Sequence, residues 1–307
     1  MFWNLFDFMP KPFDEGYLPV TDGHKVYYYQ YGNPEGIPVL SFHGGPGGAS
    51  RPKYAKLFNL KRYRFIQFDQ RGCGQSLAED LLFHNETPYL LYDAKRLLTY
   101  LHIKEPVVVQ GVSWGSTLAL LFAEENPDMV RQIVVSSIFL ARQEDYMWVK
   151  RDSERFYPDL WQKMRKAIPE KNFFAKYKKL LFSDKEDDNR KALNYWGSYE
   201  YMLGQLKPQF LPDNEITEEN LQSARIYEHY DSNRYFIKEN QILNNIDKIA
   251  QIPTIIAHNR MDFCCVLKQA WDLHSAMPEA DFEIVADYGH STPKLLQTVK
   301  KMLQNAE

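Results

Sequence analysis

The sequence predicts an α/β fold, a mostly parallel central sheet flanked by helices and interrupted by a helical cap insertion. Three observations predict it. Short β-branched and aromatic runs alternate with runs of helical spacing up to about residue 140, and again after about residue 240. Between these limits, from about Ala141 to about Asn240, β-branched runs disappear and aromatics interleave with charges at helical intervals. The third observation is local: the apolar run Pro106-Val107-Val108-Val109-Gln110 passes through Gly111-Val112-Ser113-Trp114-Gly115 into the helix-like Ser116–Ala123. The expected organisation is a core of residues 1–140 and 241–307 and a cap of residues 141–240, which suits a chain of 307 residues.

The elements follow in order. Lys25–Tyr31 is β-rich and stops at the turn signal Gly32-Asn33-Pro34. Pro38–Phe42 and Arg64–Asp69 read as short buried strands, each running into a glycine-containing loop. Asp93–His102 has helical spacing, with Ala94, Leu97, Leu98 and Leu101 on one side. Gln132–Ser137 is the next strand. In the insertion, Trp148, Phe156, Trp161, Phe173, Tyr177 and Tyr195 recur at helical intervals. Pro253–His258 and Asp281–Val285 are strands, Lys268–Ser275 is helical, and Thr292–Gln304 is an amphipathic helix.

Composition excludes several classes. A net charge of −3 disfavours nucleic acid and anionic membrane as partners. The lysines at 176, 178 and 179 are answered by Asp184-Lys185-Glu186-Asp187-Asp188, which reads as a solvated face. The three cysteines, Cys73, Cys264 and Cys265, are odd in number and suit a reducing compartment, so a cytoplasmic location is expected. No C-x-x-C or H-E-x-x-H is present, and neither a metal nor a cofactor is expected. Met1–Phe8 lacks a basic segment and carries Asp7, so it is expected to pack on the body and not to act as a signal peptide. No apolar run approaches the length of a membrane span. The oligomeric state is left open, a monomer included.

The strand–G-x-S-x-G–helix context is that of a nucleophile elbow, which makes Ser113 the candidate nucleophile. A serine hydroxyl needs a base to take its proton and an acid to orient that base. In open sheets with such an elbow these follow in the order acid, then histidine, each on a loop after a strand. Asp262, after the strand ending at His258, and His290, in Asp287-Tyr288-Gly289-His290-Ser291, satisfy that order. His258 lies at a strand end without an acid in the right order, His274 falls in a helix and His229 in the cap. Asp281 and Asp287 share a segment with His290 and suit turns or caps.

The developing oxyanion needs two N–H donors. Trp114, directly after the nucleophile, supplies one, and Gly45 of His43-Gly44-Gly45-Pro46-Gly47-Gly48 is expected to supply the other. Gly44 and Gly45 let backbone approach the substrate, and Pro46 permits a cis bond. Asp69-Gln70-Arg71-Gly72-Cys73-Gly74-Gln75-Ser76 is expected to support this loop through an internal Asp69–Arg71 bridge, with Cys73 a small buried residue.

These blocks resemble those of the proline iminopeptidases, serine peptidases of the α/β-hydrolase fold. H-G-G-P-G-G, D-Q-R-G-C-G-Q-S and G-V-S-W-G-S-T-L-A-L carry the resemblance, with Asn85-Glu86-Thr87 and Asp93 beside them. It runs from about Tyr17 to His290. It implies release of N-terminal proline from short peptides with a free N-terminus, through an acyl-enzyme. It also implies a cap that reads the free amine. The family's W-x-x-W-E segment is matched by Trp196-Gly197-Ser198-Tyr199-Glu200, with Tyr199 in place of the second tryptophan and Glu200 as the implied ammonium partner. A second amine-binding glutamate is implied in Ala224-Arg225-Ile226-Tyr227-Glu228-His229-Tyr230-Asp231. Here Tyr227 takes its place and Glu228 comes one residue late, about 100° around a helix. Asn259-Arg260-Met261-Asp262 replaces G-R-Y-D, and Val112 replaces an elbow glycine. The alternative reading is a serine esterase or amidase for small acyl substrates, using the same triad. A non-catalytic binding protein is disfavoured, because Ser113, Asp262 and His290 are all present.

Overall fold

The computed structural model describes residues 9–20, 22–197, 199, 203–204 and 217–306. Met1–Phe8, Glu200 and the side chain of Trp196 lie outside the described residues.

The frame is a nine-stranded sheet. β1 (Asp14–Pro19) and β2 (His24–Gly32) pair antiparallel at one edge. β3 (Ile37–Phe42), β4 (Tyr63–Phe68), a short β5 (Leu77–Ala78), β6 (Val107–Val112), β7 (Val130–Ser136), β8 (Thr254–Met261) and β9 (Asp281–Tyr288) follow. The order is β1-β2-β4-β3-β6-β7-β8-β9, with β5 beside β2. From β4 to β9 along this order every neighbouring pair is parallel. Parallel strands buried on both faces read as continuous apolar runs, which is why Val107–Val109 and Ile133–Val135 show no polar alternation. Val109, Ile133, Val135 and Ile256 meet α1 (Thr87–Tyr100) and α2 (Trp114–Glu125) on one face. Val108, Val134, Ile255 and Ala257 meet the helix Pro293–Ala306 on the other.

Two boundaries differ from expectation. α1 starts at Thr87, not Asp93: Pro88 opens the helix, and Leu90 and Leu91 extend the buried stripe of Ala94, Leu97 and Leu98. β8 continues past His258 to Met261, so Asp262 directly follows the strand. β1 is an unexpected strand. Only Leu18 in it is buried, so its sequence has no alternation to read.

Between β7 and β8 the described chain is helical: α3 (Gln143–Lys150), α4 (Pro158–Ala167), α5 (Phe173–Leu181), α6 (Glu186–Ala192), a π-helical turn Leu193–Gly197, and a helix Glu218–Ser232, with shorter turns between and after them. Trp161, Met164, Phe173, Tyr177 and Leu181 form an apolar cluster of its own there, separate from the two on the sheet faces.

Candidate active site

The elbow forms because two glycines allow it. A Cβ on Gly111 would stand 2.0 Å from the carbonyl oxygen of Gly115, and one on Gly115 would stand 2.1 Å from that of Phe42. Both obstacles are backbone, so neither position tolerates a side chain. Between them Ser113 is held at φ 60° and ψ −130°, a conformation that L-residues rarely adopt. Its N–H donates to Ser136 O at 3.1 Å, which ties the elbow to the next strand. Gly115→Ala is therefore expected to destabilise the protein by about 1–3 kcal/mol, as overpacked sites do, and to abolish turnover; chemical denaturation and an activity assay check this.

Asp262 and His290 meet at the C-terminal ends of β8 and β9. His290 Nδ1 lies 2.8 Å from Asp262 Oδ2. The other carboxylate oxygen accepts from the N–H groups of Cys264 at 2.9 Å and Cys265 at 3.0 Å. The backbone of the histidine loop is fixed as well. Ser137 Oγ donates to His290 O at 2.5 Å, and Asn259 Nδ2 donates to Gly289 O at 2.8 Å. Burial alone would lower the His290 pKa, but the Asp262 carboxylate beside it outweighs this and holds it raised, to about 10. His290 Nε2 is buried and has no hydrogen-bond partner among the described residues. Such bonds to a nucleophile are often formed only with substrate present. His258 is a structural histidine: its Nδ1 accepts from Ile138 N–H at 3.0 Å, so its proton is on Nε2, bonded to Cys265 O at 2.8 Å. Burial lowers its pKa and keeps it neutral.

The glycine loop packs on Ser113. A Cβ on Gly44 would fall 3.3 Å from that of Ser113. Gly45 has φ 139° and its bond to Pro46 is cis. Trp114 begins α2, so its N–H is one of the helix's first donors, without an intrahelical acceptor. His43 and Gln70 fasten the loop. Gln70 N–H donates to His43 Nε2 at 2.9 Å, which leaves Nδ1–H to bond Gly44 O at 2.7 Å. Gln70 also bonds His43 O and accepts from the Trp114 indole. The expected Asp69–Arg71 bridge is not formed. Arg71 instead makes a two-pronged pair with Asp93 of α1, at 2.6 and 2.9 Å. Asp69 accepts from the N–H groups of Ser50 and Gln75.

The helical segment touches every loop of this site. Ser223 O lies where a Cβ on Gly47 would be, at 2.3 Å, and Gly204 O is 2.8 Å from a Cβ on Gly289. Tyr230 packs edge-on against Trp114, with ring centres 5.4 Å apart. Phe156 and Tyr157 pack on Phe263, just after Asp262, and the Trp148 indole donates to Phe263 O at 2.8 Å.

Residues 37–293 match the family described as alpha/beta hydrolase fold. Among relatives, the proline iminopeptidase of Arabidopsis thaliana is 39% identical over 289 residues, covering 92% of this chain and 76% of the relative. That of Xylella fastidiosa (strain Temecula1) is 38% identical, covering 91% of each. That of Neisseria gonorrhoeae is 36% identical, covering 90% of each. The chain belongs to the proline iminopeptidase family of alpha/beta hydrolases. Among solved structures, the proline iminopeptidase-related protein of Thermus thermophilus superposes with a TM-score of 0.63 at 16% identity. It covers 95% of this chain and 96% of its own, a likeness of fold.

Two residues that the proline iminopeptidase resemblance implies for substrate, Glu228 and Tyr199, have partners within the protein. Glu228 is 7% exposed; Ser232 Oγ donates to its carboxylate and Lys178 lies 3.8 Å away. Burial raises its pKa, with neighbouring Asp231 adding to the rise. On the same helix Ile226 and Tyr230 are the residues that dock on the core, and Glu228 is rotated well away from them. Tyr199 is fully buried, its hydroxyl bonded to Ser153 at 2.6 Å and to the Trp161 indole at 2.8 Å. It supports the helical segment from inside. Residues that sequence reasoning missed are Ser137 and Asn259. Both act through backbone carbonyls, and no local motif announces such a role.

Proposed function

We propose that this protein is a serine aminopeptidase that releases an N-terminal residue, preferentially proline, from short peptides. The observation that carries the reading is the helical roof over an elbow serine in a chain of this family. A helical segment in contact with the glycine loop, the acid loop and the histidine loop supports a site that takes a chain end in preference to the middle of a long chain. In the proposed reaction His290 takes the Ser113 proton as Ser113 Oγ attacks the scissile carbonyl. The N–H groups of Trp114 and Gly45 receive the oxyanion, and Gly44 leaves space beside the reacting carbon. His290 then protonates the leaving amine, and in the second step it activates the water that releases the aminoacyl group. Residues 141–240 serve as the cap. Within it Glu200 is assigned, on the family resemblance, to pair with the substrate's ammonium, and Trp196 to line the same region. No helix among the described residues is long and apolar enough to cross a membrane. The cysteine usage supports a cytoplasmic location.

Amine recognition is tested with Pro-, Ala- and Leu-anilides beside acetyl-Pro-anilide. The free prolyl substrate should exceed the blocked one by about 100-fold in kcat/KM, which is ~2.7 kcal/mol of discrimination. Equal rates on the blocked substrate would refute amine recognition and support the esterase or amidase reading instead. The partners of Glu228 favour one refinement: with that carboxylate engaged by Ser232 and Lys178, alanyl substrates should be cleaved as well as prolyl ones, though more slowly.

A further inference from the structure

Cys264 and Cys265 are free thiols immediately after Asp262, and hydrolysis uses only their backbone N–H groups. Their two Sγ atoms and a ring nitrogen of His290 lie within 4.8 Å of one another. Nδ1 of His290 is taken by Asp262, and the buried Nε2 has no protein partner among the described residues. An imidazole that bonds a carboxylate through one nitrogen and leaves the other without a protein partner is, once that nitrogen is deprotonated, also the arrangement of a metal-bound histidine. Two sulfurs and one imidazole are the donor set that zinc-class cations favour. Metal–ligand bonds of about 2.3 Å to sulfur and ~2.0 Å to nitrogen require donors about 3.6–3.8 Å apart. The three atoms are thus about 1 Å or less from that spacing, a gap that side-chain rotation of the half-buried Cys264 could close.

We propose that Cys264, Cys265 and His290 form an inhibitory site for a thiophilic divalent cation of the zinc class. On binding, each thiol loses its proton and the cation takes both thiolates and the Nε2 lone pair. Three protons are released, one from each thiol and one from the His290 imidazolium that the Asp262 carboxylate favours, and no electrons move. The fourth position is left to water. With its lone pair occupied, His290 cannot accept the Ser113 proton, and hydrolysis stops. Because the thiols must ionise, affinity rises with pH. The proposal rests on the triad assignment and not on which peptide is cleaved.

The test uses enzyme stripped of metal with EDTA, then dialysed against Zn²⁺ and analysed for bound metal. One zinc per chain is expected, with activity falling in step with occupancy and returning with EDTA. Co²⁺ in its place should give the near-ultraviolet absorption of thiolate-to-cobalt charge transfer. The double variant Cys264→Ser, Cys265→Ser should lose the stoichiometric zinc and the cobalt band, and need about tenfold more zinc or higher for half-inhibition. Cys264→Ser alone should weaken both readouts, which keeps the test open if the double variant fails to fold. Stoichiometric zinc retained in either variant with unchanged inhibition overturns the proposal, as does one bound zinc in the native chain with full activity. Metal content and cobalt absorption need no substrate, so failure here is separable from failure of the prolyl reading.

Discussion

Ser113→Ala is expected to lower kcat by about 10⁴–10⁶-fold while leaving the fold intact. The upper figure corresponds to about 8 kcal/mol of barrier, the scale lost when a serine hydrolase gives up its nucleophile. Two features of the elbow make the variant a clean one. Alanine keeps the Cβ, so the strain at φ 60° is unchanged and no cavity larger than a hydroxyl is left. The N–H of residue 113 still reaches Ser136 O, because that bond is made by backbone. Stability should therefore stay within about 0.5 kcal/mol, read by chemical denaturation, while turnover of a prolyl anilide falls to the residue supplied by binding and the oxyanion donors. Loss of both fold and activity would mean that the hydroxyl has a structural task this structure does not show.

Asp262→Asn should cost about 10⁴-fold in kcat and move the acid limb of the pH–kcat/KM profile in a stated direction. Only neutral His290 can act as base. In the native enzyme, burial lowers the His290 pKa, but the Asp262 carboxylate outweighs it and the net shift is upward. The neutral form is thus reached only at higher pH, and the acid limb should lie above the ordinary imidazole value of about 6.5. In the variant the charge is gone and burial remains, so the limb should fall below that value. The asparagine amide can also offer its N–H to Nδ1, which selects the wrong tautomer and accounts for the lower plateau. A limb that stays where it was would show that Asp262 does not set the protonation of the base.

The fold, the elbow at Ser113 and the Asp262–His290 pair were legible because each rests on a short stretch of sequence and the end of a strand. The elbow declares itself in one uninterrupted stretch, since the close approaches at Gly111 and Gly115 admit nothing larger than hydrogen. Asp262 and His290 could be found by order because parallel strands deliver their loops to one end of the sheet. Other features depend on which surfaces meet in space. Arg71 chooses Asp93 over its near neighbour Asp69 because α1 brings that carboxylate to it across the core. Glu228 could be seen in sequence to be one residue late, but not that Ser232 and Lys178 would engage it. The zinc-class donors escaped for the same reason: no short spacing joins Cys264 and Cys265 to His290, and the loops after β8 and β9 bring them together. β1 offered no alternation, being buried at Leu18 alone.

The central claim is that Ser113 is the nucleophile, and covalent labelling tests it most directly. The native protein is treated with a fluorophosphonate, digested and mapped by mass spectrometry. One adduct per chain is predicted, on Ser113, forming in step with the loss of prolyl-anilide hydrolysis and absent from Ser113→Ala. An adduct on another residue that tracks the loss of activity, or full hydrolysis in a protein labelled at Ser113, would contradict the account.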